Sequence, residues 1–134
     1  MASVEQGPIL VDSNVFIDIL RADLDPQREL GEHCGDADIV TCGMIKLEVL
    51  RGIRSEKLLA RLEAFFEVMR FVPTDNAIWG NAIVLARKLS IAGYTLPAQD
   101  VLIATSAFRA GASVLTADKH FAHIPNLPVI PSPW

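Results

Sequence analysis

The sequence predicts an α/β protein, a single-domain α/β/α sandwich on a central, mostly parallel sheet. Ile9-Leu10-Val11 and Ser113-Val114-Leu115-Thr116 are short apolar stretches with little polar alternation, as expected of strands covered on both faces. Segments of helical spacing separate the extended ones in the order β-α-α-β-α-α-β-α-α-β-β, and such alternation favours helices on both sides of a parallel sheet. Both apolar strands run into an acid, Asp12 and Asp118, and in such sheets ligands gather at the carboxyl ends of the strands.

The first strand, Ile9 to Val11, ends on Asp12, and Ser13-Asn14 can turn the chain and cap a helix carrying Val15, Phe16, Ile19 and Leu20. Asp25 can cap a second helix with Pro26 at its first position, stopping before Gly35. Ala37 to Thr41 reads as a strand, and Gly43 as a break. Met44, Ile45, Leu47, Val49 and Leu50 then resume at helical spacing up to Gly52. A further helix from Ser55 carries Leu58, Leu62, Phe65, Phe66 and Met69. The arm from Met44 to Met69 is apolar on more than one side, which predicts an exposed interaction surface.

Arg70 to Pro73 gives a brief strand, and Thr74 is a good N-cap for a long helix with Ile78, Trp79, Ala82, Ile83, Leu85 and Leu89, ending at Gly93. Trp79 on that stripe reads as core or a dimer face rather than a base-stacking platform. Leu96 to Asp100 leads into a helix from Val101 to Ala110 that Gly111 terminates. After the strand Ser113 to Thr116, Pro128 to Ile130 adds an edge strand, and Pro131 to Trp134 is a stiff tail.

A chain of 134 residues builds one core, so residues 1–134 are expected to form one domain. With 51% hydrophobic and 21% charged residues the composition is that of a soluble globular protein, and the apolar runs fall short of a membrane span. Met1-Ala2-Ser3-Val4-Glu5 has neither a basic segment nor an apolar signal core, so a cytoplasmic location is expected. Cys34 and Cys42 are expected to be buried free thiols. The net charge of −4, from 12 basic and 16 acidic residues, would ordinarily oppose a polyanionic partner. If four acids hold metal, 12 remain against 12 bases, and bound divalent cations would make the cleft electropositive.

Each acid has an ordinary structural explanation. Asp12 could open a turn, Asp100 cap its helix, Asp118 brace the turn after Thr116, and Glu48 face solvent. Those explanations do not account for convergence: Asp12 and Asp118 end two strands at one sheet edge, Asp100 opens a helix there, and Glu48 lies beside an apolar stripe. Carboxylates brought together repel unless a cation neutralises them. Oxygen ligands without Cys or His at ligand spacing suit Mg2+ or Mn2+ rather than zinc. Such an ion can supply an attacking water for a phosphodiester and stabilise the leaving oxygen. Ser13 and Thr116 adjoin the acids and could bond a water or phosphate.

Val11-Asp12-Ser13-Asn14-Val15, Glu48 in Leu47-Glu48-Val49-Leu50-Arg51-Gly52, Asp100-Val101-Leu102-Ile103-Ala104, and Leu115-Thr116-Ala117-Asp118 with Phe121 resemble, in order, the four acidic motifs of PIN domains. The resemblance runs from Ile9 to about Ile130 and is nearest to the VapC toxins of toxin–antitoxin pairs. It implies a Mg2+-dependent endoribonuclease, usually a homodimer, silenced by a small VapB-like antitoxin that inserts a C-terminal segment into the acidic groove. It gives Asp12, Glu48, Asp100 and Asp118 the catalytic and metal-binding roles, with Ser13, Asn14 and Thr116 in support. Two positions depart from the family pattern. Ser13 preserves a hydroxyl, whereas His120 replaces the usual acid of the last motif. His120 and His123 precede Ile124-Pro125 and read as surface residues rather than ligands. For RNA the candidates are Lys46, Arg51, Arg54 and Lys119, whose phosphate contacts would position a substrate without reading its sequence.

Other functions on this fold are a non-catalytic metal-binding regulatory or protein-interaction module, and a phosphatase of the haloacid-dehalogenase type. A receiver module needs a strand ending on Lys, which this chain lacks. The phosphatase needs an acid two residues after the first, where Asn14 stands.

Overall fold

The computed structural model describes residues 7–134, and Met1 to Glu5, read above for export, lie outside the described residues. The strands are β1 (Ile9–Val11), β2 (Ile39–Cys42), β3 (Arg70–Val72), β4 (Ser113–Thr116) and β5 (Val129–Pro131). They form one sheet in the order β3-β2-β1-β4-β5, and every pairing is parallel. The helices are α1 (Ser13–Arg21), α2 (Pro26–Cys34), α3 (Gly43–Leu50), α4 (Glu56–Glu67), α5 (Asn76–Ile91) and α6 (Ala98–Ala110). A 3₁₀ turn, Lys119–His123, follows β4.

Burial explains this order. β1 is the middle strand and all three of its side chains are buried. Val15, Phe16 and Ile19 of α1 are wholly enclosed, each contributing roughly 1.5–3 kcal/mol relative to exposure. Phe16 meets Phe66 at 5.2 Å and Phe65 edge-on at 6.3 Å. Helix α6 is buried continuously from Asp100 to Ala107, as suits a helix apolar around most of its circumference. Its Thr105 and Ser106 hydroxyls donate to the carbonyls of Val101 and Leu102 at 2.7 and 2.9 Å. Gly111 ends it with φ 63, a left-handed conformation that glycine adopts without Cβ strain.

Several details differ from the sequence expectation. Gly43 opens α3 directly after β2 instead of breaking the chain, because the extended Cys42 serves as the residue before the first turn. Asp12 rather than Ser13 caps α1. Asp75, not Thr74, caps α5: its Oδ1 accepts the Ile78 N–H at 2.9 Å while both oxygens meet Arg109 Nη1 at 2.8 Å. Pro131 belongs to β5, and the tail is anchored, since the Ser132 N–H donates to the Thr116 carbonyl at 3.0 Å and Trp134 meets the His33 ring at 5.1 Å.

The largest correction concerns the arm. Leu62, Phe65, Phe66 and Met69 belong to this chain's own core, with Leu58 packed partly against it. Helix α4 folds its apolar stripe back onto Phe16, leaving those residues unavailable to a partner. The exposed large apolar side chains include Leu47 and Val68 on the arm and Trp79, Ile83, Val84 and Ile91 on α5. Trp79 is therefore not a core residue.

Both outer strands are three residues long. Pro73 follows β3, Pro128 precedes β5, and β5 ends on Pro131. Cys34 and Cys42 are buried free thiols, as expected. Among the described residues no helix is long and apolar enough to cross a membrane.

Candidate metal centre

Asp12 follows the last residue of β1, whose Val11 pairs with Leu115 of β4. That register sets Asp12 beside Thr116 at the carboxyl edge of the sheet. The Thr116 hydroxyl donates to Asp12 Oδ2 at 2.8 Å, and Asn14 Nδ2 donates to the same oxygen at 3.1 Å. Asp12 Oδ1 accepts the Ser13 N–H at 2.8 Å, with the Ser13 hydroxyl at 3.5 Å. Thr116 Oγ1 also accepts from Asn14 Nδ2 at 3.3 Å and from the Asp118 N–H at 2.9 Å, so its one donor and both lone pairs are used. Asn14 Oδ1 accepts the Ala117 N–H at 3.3 Å. Ser13, Asn14 and Thr116 thus tie the ends of β1 and β4 together around one buried carboxylate.

Asp100 lies in the first turn of α6, where the helix dipole favours an anion. The helix begins at Ala98 after Pro97, with no side-chain cap. The capping explanation for Asp100 therefore falls, and its carboxylate is free to face the sheet edge. Asp118 leads the 3₁₀ turn, and its Oδ1 accepts the His120 N–H at 2.9 Å.

Glu48 of α3 borders two clefts. One, about 310 Å³, is lined with Met44, Leu47, Arg51, Trp79 and Gln99 among others. The other, about 440 Å³, includes Ile17, Leu20, Arg21, Arg51 and Ile53. Glu48 Oε1 is buried and has no hydrogen-bond partner among the described residues.

The acids share one electrostatic field. Burial pushes Asp12 up to about 6; the Thr116 and Ser13 hydrogen bonds oppose the rise, and the charges of Asp100 and Glu48 add to it. Asp100 is also raised, by burial first, then by the Asp118 charge, with His120 opposing and Glu48 adding.

His120 is exposed, as its reading as a surface residue expects, but it also faces the acids. Its ring is about half exposed, yet Nδ1 lies 3.4 Å from Asp100 Oδ2 and 3.3 Å from Asp118 Oδ1. The signal available in the sequence was its position two residues after Asp118, on the turn that this acid caps. His123 instead stacks on Tyr94 at 4.3 Å. Of the basic candidates, Arg51 lines both clefts beside Glu48. Lys119 is exposed next to Asp118, and Arg54 is exposed beyond α3. Lys46 is turned toward Phe71, 5.7 Å from the ring centre. Arg21, on the same cleft as Glu48, was missed, because a helix-terminal arginine has no distinguishing pattern.

Asp100, Asp118 and His120 each offer a ligand atom, all within 4.8 Å of one another, and could hold a metal ion. The donor set is mostly carboxylate oxygen, and an unpartnered buried Glu48 oxygen lies in the same field. These residues fit a divalent cation.

Fold and site together define a small α/β protein with a carboxylate centre at the carboxyl edge of a parallel sheet. The chain belongs to the PIN domain family, whose model matches residues 9–127. It is similar to Ribonuclease VapC4 of Mycobacterium tuberculosis (strain ATCC 25618 / H37Rv), with 34% identity over 123 residues, 90% of this chain and 94% of that protein. Ribonuclease VapC19 of the same species is 33% identical over 122 residues, 88% of this chain and 95% of its own. Among solved structures, VapBC2 from Rickettsia felis, bound to a DNA fragment from its promoter, superposes with a TM-score of 0.75 at 19% identity. That match covers 92% of this chain and 97% of the other, and shows the shared fold.

Proposed function

We propose that the chain is the toxin of a type II toxin–antitoxin pair and a Mg2+- or Mn2+-dependent endoribonuclease that hydrolyses RNA phosphodiester bonds. The observation that carries this reading is the meeting of Asp100 and Asp118, with Asp12 and Glu48 in the same electrostatic field, in a chain alike nearly end to end to proteins named ribonucleases. Asp100 and Asp118 would hold the cation, with Asp12 and Glu48 completing its surroundings. When bound, a divalent cation supplies positive charge against the phosphodiester and favours attack by water. Asp12 is ionised at neutral pH but titrates at about 6, so its carboxylate can take up a proton from an attacking water. Ser13, Asn14 and Thr116 hold that carboxylate in one orientation. Arg51, and more weakly Lys46, Arg54 and Lys119, would meet RNA phosphates.

The antitoxin reading draws support from the fold shared with VapBC2 of Rickettsia felis. A homodimer draws support from the exposed Trp79, Ile83 and Val84 of α5, a face that has replaced the arm as the candidate surface. A cytoplasmic location would suit an RNA target.

The test is incubation of the purified chain with total cellular RNA, with Mg2+, Mn2+ or a chelator. Fragments should form only with metal, and Asp12→Asn and Asp100→Asn should each abolish them. Cleavage that survives the chelator or both substitutions overturns the reading. Metal binding without cleavage of any RNA would favour the non-catalytic module.

A further inference from the structure

We propose that His120 is a ligand of this centre through Nδ1, and that it biases the centre toward Mn2+ over Mg2+. The inference rests on the metal-centre reading above and names the ion that the centre takes. His120 Nδ1 approaches Asp100 Oδ2 at 3.4 Å and Asp118 Oδ1 at 3.3 Å. Both distances are long for hydrogen bonds to a carboxylate. Donor atoms placed about 2.1 Å from a six-coordinate cation stand about 3 Å apart when adjacent, close to the spacing seen here.

The ring is held in place by its own backbone. The His120 N–H donates to Asp118 Oδ1 at 2.9 Å in the turn that Asp118 caps, so the ring and both carboxylates converge without a long flexible connection. In the neutral tautomer that carries its proton on Nε2, Nδ1 and the two carboxylates are three acceptors facing one another. A cation shared among them removes that conflict.

The nature of the donor then decides the ion. Mg2+ takes oxygen ligands and keeps several waters, whereas imidazole nitrogen suits first-row transition metals. A neutral imidazole also contributes less negative charge than a carboxylate, which weakens attraction for a hard cation most. Carboxylate oxygens suit Mn2+ as well as Mg2+, so the sign of the nitrogen ligand is the change in the preference for Mn2+ when the imidazole is removed.

The experiment measures binding without RNA. Mn2+ is titrated into the purified chain and free ion followed by electron paramagnetic resonance; Mg2+ affinity comes from competition. The parent is compared with His120→Asn, His120→Asp and Asp100→Asn, and thermal melts verify that each variant folds. The ratio of Mn2+ to Mg2+ affinity should fall by about tenfold in His120→Asn, and His120→Asp should shift the centre toward Mg2+. A ratio in both His120 variants within about twofold of the parent overturns the assignment while leaving the metal centre intact. A parent that binds neither ion, or affinities that Asp100→Asn leaves unchanged, would overturn the metal-centre reading and this inference with it.

Discussion

Thr116 donates its hydroxyl to Asp12 Oδ2 at 2.8 Å, across the ends of two paired strands. The same oxygen atom of Thr116 receives the Asp118 N–H at 2.9 Å. One side chain therefore fixes both the buried acid of β1 and the start of the turn that carries Asp118 and His120.

Thr116→Val keeps the shape and removes this link. It should destabilise the protein by about 1–3 kcal/mol, since a buried carboxylate and a backbone N–H both lose a partner. Because the Thr116 bond holds the Asp12 pKa down, Asp12 should titrate above about 6 in the variant, while Thr116→Ser should restore the parent value. Urea unfolding and carbon-detected NMR titration check both outcomes; an unchanged Asp12 pKa would show that the hydroxyl does not hold the acid.

The stability of the metal-free protein should fall as pH rises from about 4 to about 6. Asp12 moves from 3.8 to about 6 on folding, so between those values the folded state binds more protons than the unfolded one. Its contribution is fully present below the unfolded value and is lost on passing through the folded one. The difference corresponds to about 3 kcal/mol. Asp12→Asn should flatten this part of the curve and melt higher than the parent above pH 6 in chelator. A parent and variant with parallel pH profiles in denaturant would contradict the raised pKa.

Glu48→Gln tests whether α3 contributes to the site's field. The substitution removes a charge that raises both Asp12 and Asp100, so both should titrate lower. It also removes one anionic group from the centre, so stabilisation by Mg2+, which grows by about 1.4 kcal/mol per tenfold excess over the dissociation constant, should begin at higher metal concentration. NMR titration and melts against Mg2+ read the two effects separately.

Arg51 borders both clefts beside Glu48. Arg51→Ala should weaken binding of single-stranded RNA to a cleavage-dead Asp100→Asn background, uniformly across sequences. The slope of log affinity against log salt should fall by about 0.7, the value for one phosphate contact to a single strand. Fluorescence anisotropy over a salt series decides it, and an unchanged slope would remove Arg51 from the RNA path.

The central sheet was legible because buried parallel strands leave continuous apolar runs, as in Ile9 to Val11 and Val114 to Leu115. Asp12 and Asp118 could be placed by the strand ends they follow, and Asp100 by the helix it opens. Local propensity did not reveal which way α4 would turn its apolar stripe. Phe65 and Phe66 look the same in sequence whether they meet Phe16 of their own chain or a partner. Thr74 and Asp75 are both good caps, and the Arg109 partner that favours Asp75 lies 34 residues away. The approach of the exposed His120 to Asp100 was hidden for a similar reason: it spans 20 residues, and short spacing rules describe ligands on one element rather than across two.

The two outer strands also limit how this molecule can associate. β3 and β5 are three residues long, and each is bordered or ended by proline, which cannot donate a ladder hydrogen bond. A foreign chain finds too little open backbone on either side to extend the sheet, so templated stacking into fibres is blocked at both margins. Assembly is left to helical surfaces, where side chains rather than main-chain ladders select the partner.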